Sequence, residues 1–478
     1  MSECPTLSIG LPAMRNNCAA ILIFFCLGLG QLAVAAGPGP DLVISNVTTI
    51  DVVTGEAARQ SVVVRGGRIE AVVSADASIA DARETIDGTA HFLIPGLWDM
   101  HVHIVYEARL TAQMPSLFLD YGITSVRDTG ALLHKIQPEI TRWQSMGAEA
   151  PDIFFSGPLL DGNLVVYDGN GRTEIGTRNE SVETAAERID ALLQAGVDFI
   201  KIYELVSPVV FQTMVRVARE AGIPIAAHVP LSMLADEAGP SVNSMEHLRN
   251  IEIACADDAD TLYETRTAML ASPDEKTGYE LRSHLQSSQR TVALATADPD
   301  SSRCQRVIRA LANTIQVPTL RLNTITQYSP LQRADWSTAL LQLPDSVASD
   351  WQETARFYAG QTSELGDKMS AWSLELVAAM QREGVPIGAG TDTPIGQAIP
   401  GYSLHTELER LVDAGLTPLQ ALHAATVTPA KFFNKDDEMG QIKAGMEADL
   451  VLLEKNPLLD IGHTRSIRAV ISDGTRVR

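Results

Sequence analysis

The prediction of the fold starts from the stretch Pro95-Gly-Leu-Trp-Asp-Met-His-Val-His103. It is an apolar run that ends in two histidines separated by one residue. In a β-strand, residues i and i+2 point to the same side, so His101 and His103 would direct both imidazoles to one point. Two converging imidazoles suit a borderline metal such as Zn²⁺. The alternative is a pair of surface histidines on an edge strand, and the rest of the chain has to decide between them.

Seven further apolar segments follow this one through the middle of the chain. Helical patterns separate most of them, for example at residues 181–195 and 207–221, and each of these two ends at a glycine. The eight predicted strands are residues 96–103, 122–127, 152–156, 199–203, 225–229, 244–247, 317–322 and 386–391. Eight parallel strands with helices between them predict an α/β fold, a (β/α)8 barrel of the TIM type.

Both ends of the chain have a different texture. Residues 41–52 and 61–73, and again 448–453 and 467–472, are β-branched runs divided by glycine and charged turns. Because these runs flank the barrel in sequence, they predict one small composite β-sandwich formed by both termini. The predicted boundaries are 1–36 for a signal peptide, 37–95 and 437–478 for the sandwich, and 96–436 for the barrel, with an insertion at about 250–315.

The first residues have the pattern of a secretory signal peptide. Arg15 precedes the apolar run 19–29, and small residues follow at Ala33-Val-Ala-Ala36. The run is too short to span a bilayer comfortably, so a permanent membrane anchor is disfavoured. We therefore expect a periplasmic or secreted protein, whether translation starts at Met1 or at Met14.

Charge and composition exclude some partners. The chain carries a formal net charge of −22, with 45% hydrophobic and 20% charged residues. Phosphate would be repelled, so nucleic acid and anionic membranes are not expected partners, and the charge is best interpreted as a solvated surface. The expected partner is a small-molecule substrate. The sequence leaves open whether the chain forms a homo-oligomer.

Two cysteines remain outside the predicted signal peptide. Cys4, Cys18 and Cys26 lie inside it, while Cys255 and Cys304 lie in the predicted insertion. In an oxidising compartment a disulfide between these two is expected, and two separate buried thiols are the alternative.

Lys201 lies on the fourth predicted strand, Asp198-Phe-Ile-Lys-Ile-Tyr203. By strand parity Phe199, Lys201 and Tyr203 share the inward face. Burial disfavours the charged ammonium, so a neutral amine becomes available. Such an amine can react with CO2, and the resulting carbamate can bridge two metals. The alternative is a lysine paired with a nearby carboxylate.

Three more metal-binding side chains lie at predicted strand ends. His228 and His247 each end a strand, and Asp392 follows the last one in Gly388-Ala-Gly-Thr-Asp392. Singly, each histidine fits a core residue, and the aspartate fits a turn or helix cap. Together with His101, His103 and Lys201 they fall at the carboxyl ends of five barrel strands, where the active sites of such barrels lie.

These motifs resemble the amidohydrolase superfamily. The resemblance rests on residues 95–103, Ala227-His228, Glu246-His247, Gly390-Thr-Asp392 and the stretch 440–451, Gly-Gln-Ile-Lys-Ala-Gly-Met-Glu-Ala-Asp-Leu-Val. It covers essentially the whole chain after the predicted signal peptide. The branch that it resembles most is the secreted imidazolonepropionase-like and prolidase-like hydrolases with a binuclear metal site.

The resemblance implies a role for each site residue. His101, His103 and Asp392 would hold the first divalent metal, and His228 and His247 the second, with zinc as the expected metal. Lys201, N6-carboxylated, would bridge them.

The implied reaction is cleavage of an amide bond, as in a dipeptide or an N-acyl amino acid, by a metal-bridging hydroxide. Asp392 would act as general base, and Tyr203 would donate a hydrogen bond to the oxyanion. Arg249 would bind a substrate carboxylate, although an exposed surface arginine is an equal alternative.

Other functions remain open at this stage. The same site could serve a lactone, ester or organophosphate hydrolase or a deaminase, although a deaminase usually keeps one metal and lacks the bridging lysine. A non-catalytic metal-bound scaffold is a further alternative, and the complete set of ligands and base argues against it.

Overall fold

The computed structural model describes residues 39–273 and 276–478. The predicted signal peptide, with Cys4, Cys18 and Cys26, lies outside the described residues. Within the described ranges, no helix has the length and apolar character needed to cross a membrane. The described chain begins with five strands: β1 (Leu42–Ile50), β2 (Ala57–Arg65), β3 (Arg68–Ser74), β4 (Glu84–Asp87) and β5 (Phe92–Pro95).

Nine strands follow in the middle of the chain. They are β6 (Leu97–Val102), β7 (Ile123–Asp128), β8 (Asp152–Phe155), β9 (Leu159–Asp161), β10 (Gly176–Arg178), β11 (Ile200–Ile202), β12 (Ile225–Ala227), β13 (Ser244–Glu246) and β14 (Ile315–Val317). All their pairings are parallel, in the orders β6-β7-β8 and β10-β9-β11-β12-β13-β14.

Hydrogen bonds outside the named strands close these two sheets into one barrel. On one side, Asp198 N donates to Phe155 O at 2.9 Å and joins β8 to the segment that leads into β11. On the other side, residues 386–393 lie between β14 and β6, because Gly388 N donates to Gln316 O and Asp392 N donates to His101 O. Since β8 and β9 are successive parts of one strand position, the barrel has the eight positions that the sequence predicts.

Two of the predicted strands differ from the structure. The seventh, 317–322, ends at Val317 instead, because Pro318 has no N–H to continue the ladder and Thr319 is left-handed with φ 47°. The eighth, 386–391, is joined by bridges rather than by a continuous ladder. Gly390 there lies so close to β6 that an added Cβ would be 2.8 Å from His101 Cβ.

The last three strands complete the terminal sheet. They are β15 (Leu450–Leu453), β16 (Ile467–Ser472) and β17 (Thr475–Arg476), and the sheet order is β17-β16-β15-β5-β1-β2-β3, with β4 paired to β1. Both termini therefore build one β-rich unit, as predicted, in the form of a single eight-stranded mixed sheet. Its strands bury their own core, which includes Ile44, Val64 and Leu450. The exact domain boundaries stay predictions.

Helices separate the barrel strands and cover them. They are α1 (Met114–Asp120), α2 (Leu133–Met146), α3 (Val182–Gln194), α4 (Pro208–Glu220), α5 (Ala235–Ala238), α6 (Ile251–Cys255), α7 (Ala259–Ala271), α8 (Gly278–Ala293), α9 (Ser302–Ala310), α10 (Leu320–Asn323), α11 (Ala334–Leu340), α12 (Asp345–Tyr358), α13 (Glu364–Arg382), α14 (Tyr402–Asp413), α15 (Pro418–Ala424) and α16 (Val427–Phe432). The two helices predicted at 181–195 and 207–221 are α3 and α4. Ser181 caps α3 by accepting from Thr184 N, and left-handed glycines follow both helices.

The predicted insertion at about 250–315 is helical and consists of α6 to α9. A disulfide in the structure joins Cys255 at the end of α6 to Cys304 in α9. Helix α8 of this insertion reaches the carboxyl ends of the barrel strands, because Arg282 and Gln286 bond to Glu204 just after β11. The insertion is therefore in contact with the face of the barrel where the candidate ligands lie.

Candidate metal centre

One cavity at the carboxyl ends of the barrel strands is lined by every residue predicted to act in metal binding, catalysis or substrate binding. The side chains that line it among those predictions are His101, His103, Lys201, Tyr203, His228, His247, Arg249 and Asp392. The two predicted disulfide cysteines lie apart from it in the insertion. The strand-end argument thus brings together residues that are up to 291 positions apart in sequence (101 to 392).

His101, His103 and Asp392 form the first group. His101 and His103 lie two residues apart at the end of β6 and so share a face. Their Nε2 atoms are 3.4 Å and 3.2 Å from Asp392 Oδ1, and the three side chains are buried. One ligand atom from each lies within 4.8 Å of the others. This is a spacing that one cation can bridge.

The Nδ1 atoms of both histidines already have partners. His101 Nδ1 lies 2.7 Å from Glu246 Oε2, and His103 Nδ1 lies 3.1 Å from Gly130 O. A carbonyl oxygen only accepts, so Nδ1 of His103 carries the proton and Nε2 of the neutral ring presents a lone pair to Asp392 Oδ1. Two facing acceptors in a buried site repel unless a cation or a proton lies between them. The donor set therefore fits a metal ion.

The electrostatics of this group point the same way. Burial pushes the pKa of His103 down, but the neighbouring Asp392 carboxylate, which would accept from the protonated ring, outweighs burial, so the pKa is raised. Burial also pushes the pKa of Asp392 up, but His103, His101 and Arg321 outweigh it, so that pKa is lowered. The surroundings of Asp392 thus favour its anionic form and a positive charge beside it.

His228 and His247 form the second group, with ring centroids 4.8 Å apart. His228 Nδ1 lies 2.7 Å from Glu204 Oε1, and His247 Nδ1 lies 2.7 Å from Thr319 Oγ1. The Thr319 hydroxyl donates its proton to Pro318 O, so it accepts from His247 Nδ1. Both rings therefore keep Nε2 as the unprotonated atom, which is the tautomer that binds a metal.

Lys201 lies between the two groups, fully buried in β11. Its Nζ makes no hydrogen bond among the described residues, and its nearest carboxylate atom in an ion pair is Glu246 Oε1 at 3.8 Å. Burial lowers its pKa to about 8. The alternative interpretation, a lysine paired with a carboxylate, is supported only by this long contact. The lowered pKa makes the neutral amine accessible at moderate pH.

Two of the candidate ligands have an unusual backbone conformation. His247 has φ 62° and Asp392 has φ 62°, in the left-handed region that residues other than glycine rarely adopt. Residues in this region are held there by surrounding structure and cluster at functional sites. Here the conformation turns the chain at the strand end, where His247 N donates to Val317 O.

Aromatic and cationic side chains form the cavity wall. Tyr203 directly follows β11, and its ring centroid lies 4.4 Å from that of His228 and 6.0 Å from that of Tyr167. Arg249 and Arg282 line the same cavity. Arg249 is half-buried and its Nε has no hydrogen-bond partner among the described residues. It is therefore not the exposed surface arginine that the sequence left as an alternative.

The sequence analysis missed the residues that hold the ligands. Glu246 accepts from Arg127 Nη2 at 2.8 Å and contacts His101, and Glu204 contacts His228 and Arg282. Their neighbours His247 and Tyr203 were identified, and a carboxylate next to a strand-end ligand is the signal that could have found them. Nothing in the sequence marks Arg282, since it lies on an ordinary helix of the insertion.

Comparison with known proteins agrees with this geometry. Among solved structures, a putative prolidase from Bifidobacterium longum has a TM-score of 0.64 and 22% identity, covering 92% of this chain and 95% of that one. A bottromycin amidohydrolase has a TM-score of 0.66 and 22% identity, covering 91% and 86%. At this identity the likeness shows the shared fold.

Sequence relatives match over short segments. Ochratoxinase of Aspergillus niger is 40% identical over 91 residues, which are 19% of this chain and 18% of that protein. Adenine deaminase 2 of Rhizobium etli is 38% identical over 96 residues, 20% of this chain and 16% of that protein. The matched segments thus span less than a fifth of these relatives' own length. The family model described as "Amidohydrolase family" matches residues 157–478, which is more than half of the chain. This chain belongs to the amidohydrolase family.

Proposed function

We propose that this chain is a metal-dependent hydrolase that cleaves an amide C–N bond in a small molecule. The observation that carries the proposal is the buried set of histidines whose Nδ1 atoms are all engaged, together with Asp392. His101, His103 and Asp392 would hold one divalent metal, and His228 and His247 a second, with zinc expected for both. Bound there, the metals would lower the pKa of water and polarise the substrate carbonyl.

The protein groups then divide the reaction between them. Asp392 takes a proton from the attacking water as its oxygen bonds to the carbonyl carbon, and gives that proton to the nitrogen as the C–N bond breaks. Tyr203, on the inward face next to His228, donates a hydrogen bond to the oxyanion. The products are a carboxylic acid and an amine.

We further propose that the substrate is a dipeptide or an N-acyl amino acid. Arg249 and Arg282 line the cavity beside the ligands, and a guanidinium pairs well with a carboxylate. The names of two structural neighbours, a putative prolidase and a Xaa-Pro dipeptidase, are consistent with this class. The adenine deaminase relatives keep deamination of an aminopurine as the alternative, since it also breaks a C–N bond.

A substrate screen tests the function. Purified zinc-loaded protein would be assayed against N-acyl amino acids, dipeptides including X-Pro, lactones and aminopurines. We expect turnover of the first two classes that disappears with a chelator and returns with zinc. Turnover confined to lactones or aminopurines would replace the proposed substrate. No turnover by a metal-loaded protein would favour the scaffold.

The binuclear site has its own test in Lys201, which we propose is carboxylated on Nζ. Lys201→Ala is expected to reduce bound zinc from two ions per chain to one, because it removes the group proposed to bridge the two metals. Lys201→Arg should not restore the second ion, since guanidinium stays cationic. Lys368→Ala, at an exposed lysine, is the control and should keep both ions.

Stripping the metal at low pH provides a second measurement on the same residue. The carbamate would be lost with the metals, so reactivation should need bicarbonate as well as zinc. Two tightly bound zinc ions and full activity in Lys201→Ala would rule out the carbamate.

We also propose that the protein is exported and cleaved near Ala36 or Gly37. Mass spectrometry of the exported protein should find that N-terminus. An intact Met1 or Met14 on a cytosolic protein would contradict export.

A further inference from the structure

Glu204 connects the metal centre to the insertion. It lies two residues after the end of β11 and is fully buried. Its Oε1 lies 2.7 Å from His228 Nδ1, while its Oε2 accepts from Arg282 Nε at 3.1 Å and from Gln286 Nε2 at 2.9 Å. One carboxylate thus holds a candidate ligand with one oxygen and helix α8 with the other.

The two partners on α8 act from one helix face. Arg282 and Gln286 are four residues apart, which places them one above the other on the helix surface. Gln286 Oε1 also lies 3.5 Å from Arg249 Nη1. A carboxylate buried without a cation is costly, so the charge of Glu204 depends on Arg282. The orientation of that carboxylate in turn fixes which nitrogen of His228 faces the cavity.

We propose that Arg282 and Gln286 are positioning residues for the second metal, and that the insertion is a working part of the metal site rather than a cover over it. They orient Glu204, Glu204 holds His228 by Nδ1, and His228 then presents Nε2 to the metal. This inference rests on the proposed function only in requiring that His228 and His247 bind a metal.

The same helix offers a matched control for a purely structural role. Arg290, two turns further along α8, pairs through Nε with the buried Glu252 at 2.9 Å. Its side chain is 15% exposed and that of Arg282 is 10% exposed, so the two ion pairs are alike in burial. Only the Arg282 pair touches a candidate ligand. If α8 mattered only for stability, the two arginines would be equivalent.

The experiment measures zinc affinity in the full-length protein by competition with a chromophoric chelator. His247→Ala first identifies which binding step belongs to the second metal. Arg282→Met is expected to weaken that step by about 10- to 100-fold, the range typical of groups that hold a metal-binding histidine. The step assigned to His101, His103 and Asp392 should stay unchanged within experimental error. Arg290→Met should leave both steps unchanged.

Further variants keep the test decisive. Arg282→Lys retains the cation and should restore part of the affinity. Gln286→Met removes one neutral hydrogen bond, so it should weaken the same step less than Arg282→Met does. It also keeps the inference testable if Arg282→Met folds poorly. Thermal unfolding of each variant separates loss of fold from loss of metal.

The outcomes distinguish this inference from the proposed function. Native affinity of Arg282→Met for both zinc ions, or an equal loss in Arg290→Met, would overturn the inference and leave the hydrolase proposal standing. A wild-type protein that shows no second zinc step would overturn this inference and the second metal of the proposed function. Weakening confined to the second step in Arg282→Met and Gln286→Met supports the inference.

Discussion

Two buried carboxylates contact the two groups of candidate metal ligands, and their own partners differ. Glu246 contacts His101 at 2.7 Å and pairs with Arg127, and all three residues belong to barrel strands. Glu204 contacts His228 at the same distance and pairs with Arg282 from the insertion. The first half is thus supported by the barrel alone, while the second depends on a segment outside the repeating βα pattern.

The largest effect is expected at Asp392, which is proposed both as a ligand of the first metal and as the general base. Asp392→Asn should lower kcat by about 10²- to 10⁴-fold, because a proton acceptor and a ligand oxygen change together. The measurement is kcat on the substrate that the screen identifies, with circular dichroism to show that the fold survives. A near-native kcat would remove Asp392 from the chemistry.

Removing each carboxylate compares the two supports directly. Glu246→Ala leaves Arg127 fully buried without its carboxylate, and losses of about 3–5 kcal/mol in the free energy of unfolding are typical of such a change. Glu204→Ala leaves Arg282 at the cavity wall, where water reaches part of it, so we expect a smaller loss. Urea unfolding of the metal-free variants measures both. The opposite order would mean that the insertion carries more of the stability than the barrel pair.

The disulfide should affect the second group of candidate ligands more than the first. Closing the chain between Cys255 and Cys304, 49 residues apart, contributes on the order of 4 kcal/mol to stability if the bridge is unstrained. Replacing both cysteines by alanine should lower the free energy of unfolding and weaken the second zinc step more than the first.

Thiol labelling checks the bridge itself. The unfolded, unreduced protein should show no reactive cysteine, while two labelled thiols per chain would reject the disulfide. Reducing agent should shift the unfolding of the wild type and leave the alanine variant unchanged.

Per pH unit, the smallest effect is the pH dependence of the metal-free protein. Burial lowers the pKa of His101 to about 4 and that of His228 to about 3. Between these values and about 6.5, the unfolded chain binds protons that the folded histidines do not bind. The free energy of unfolding should therefore fall as pH drops below about 6.5, by on the order of 1 kcal/mol per pH unit for each histidine.

Removing one histidine tests whether these rings are the source of that slope. In metal-free His228→Gln, stability should change less steeply over this pH range than in the wild type. An unchanged slope in the variant would assign the pH dependence to other groups.

The amino-acid sequence by itself was enough to predict the barrel and to select the candidate ligands. The two-residue period of a strand places His101 with His103 and Lys201 with Tyr203, and parallel strands bring their carboxyl ends to one face. These rules need only the residues of one strand and the direction of its neighbours. The residues predicted for metal binding, catalysis and substrate binding accordingly meet in one cavity. The β-rich termini were recognisable for the same reason, since runs of β-branched residues predict partly buried strands from their local pattern alone.

Only the tertiary structure decided what holds those ligands. Strand seven stops at Val317 because Pro318 follows and because Glu407 accepts from Leu320 N and Arg321 N at the start of α10. Arg282 reaches Glu204 across 78 positions, and Arg127 reaches Glu246 across 119. No period or motif connects residues so far apart, because their pairing depends on how helices and strands pack after each has formed. The sequence therefore names the atoms that would bind a metal, and the folded chain sets the direction in which those atoms point.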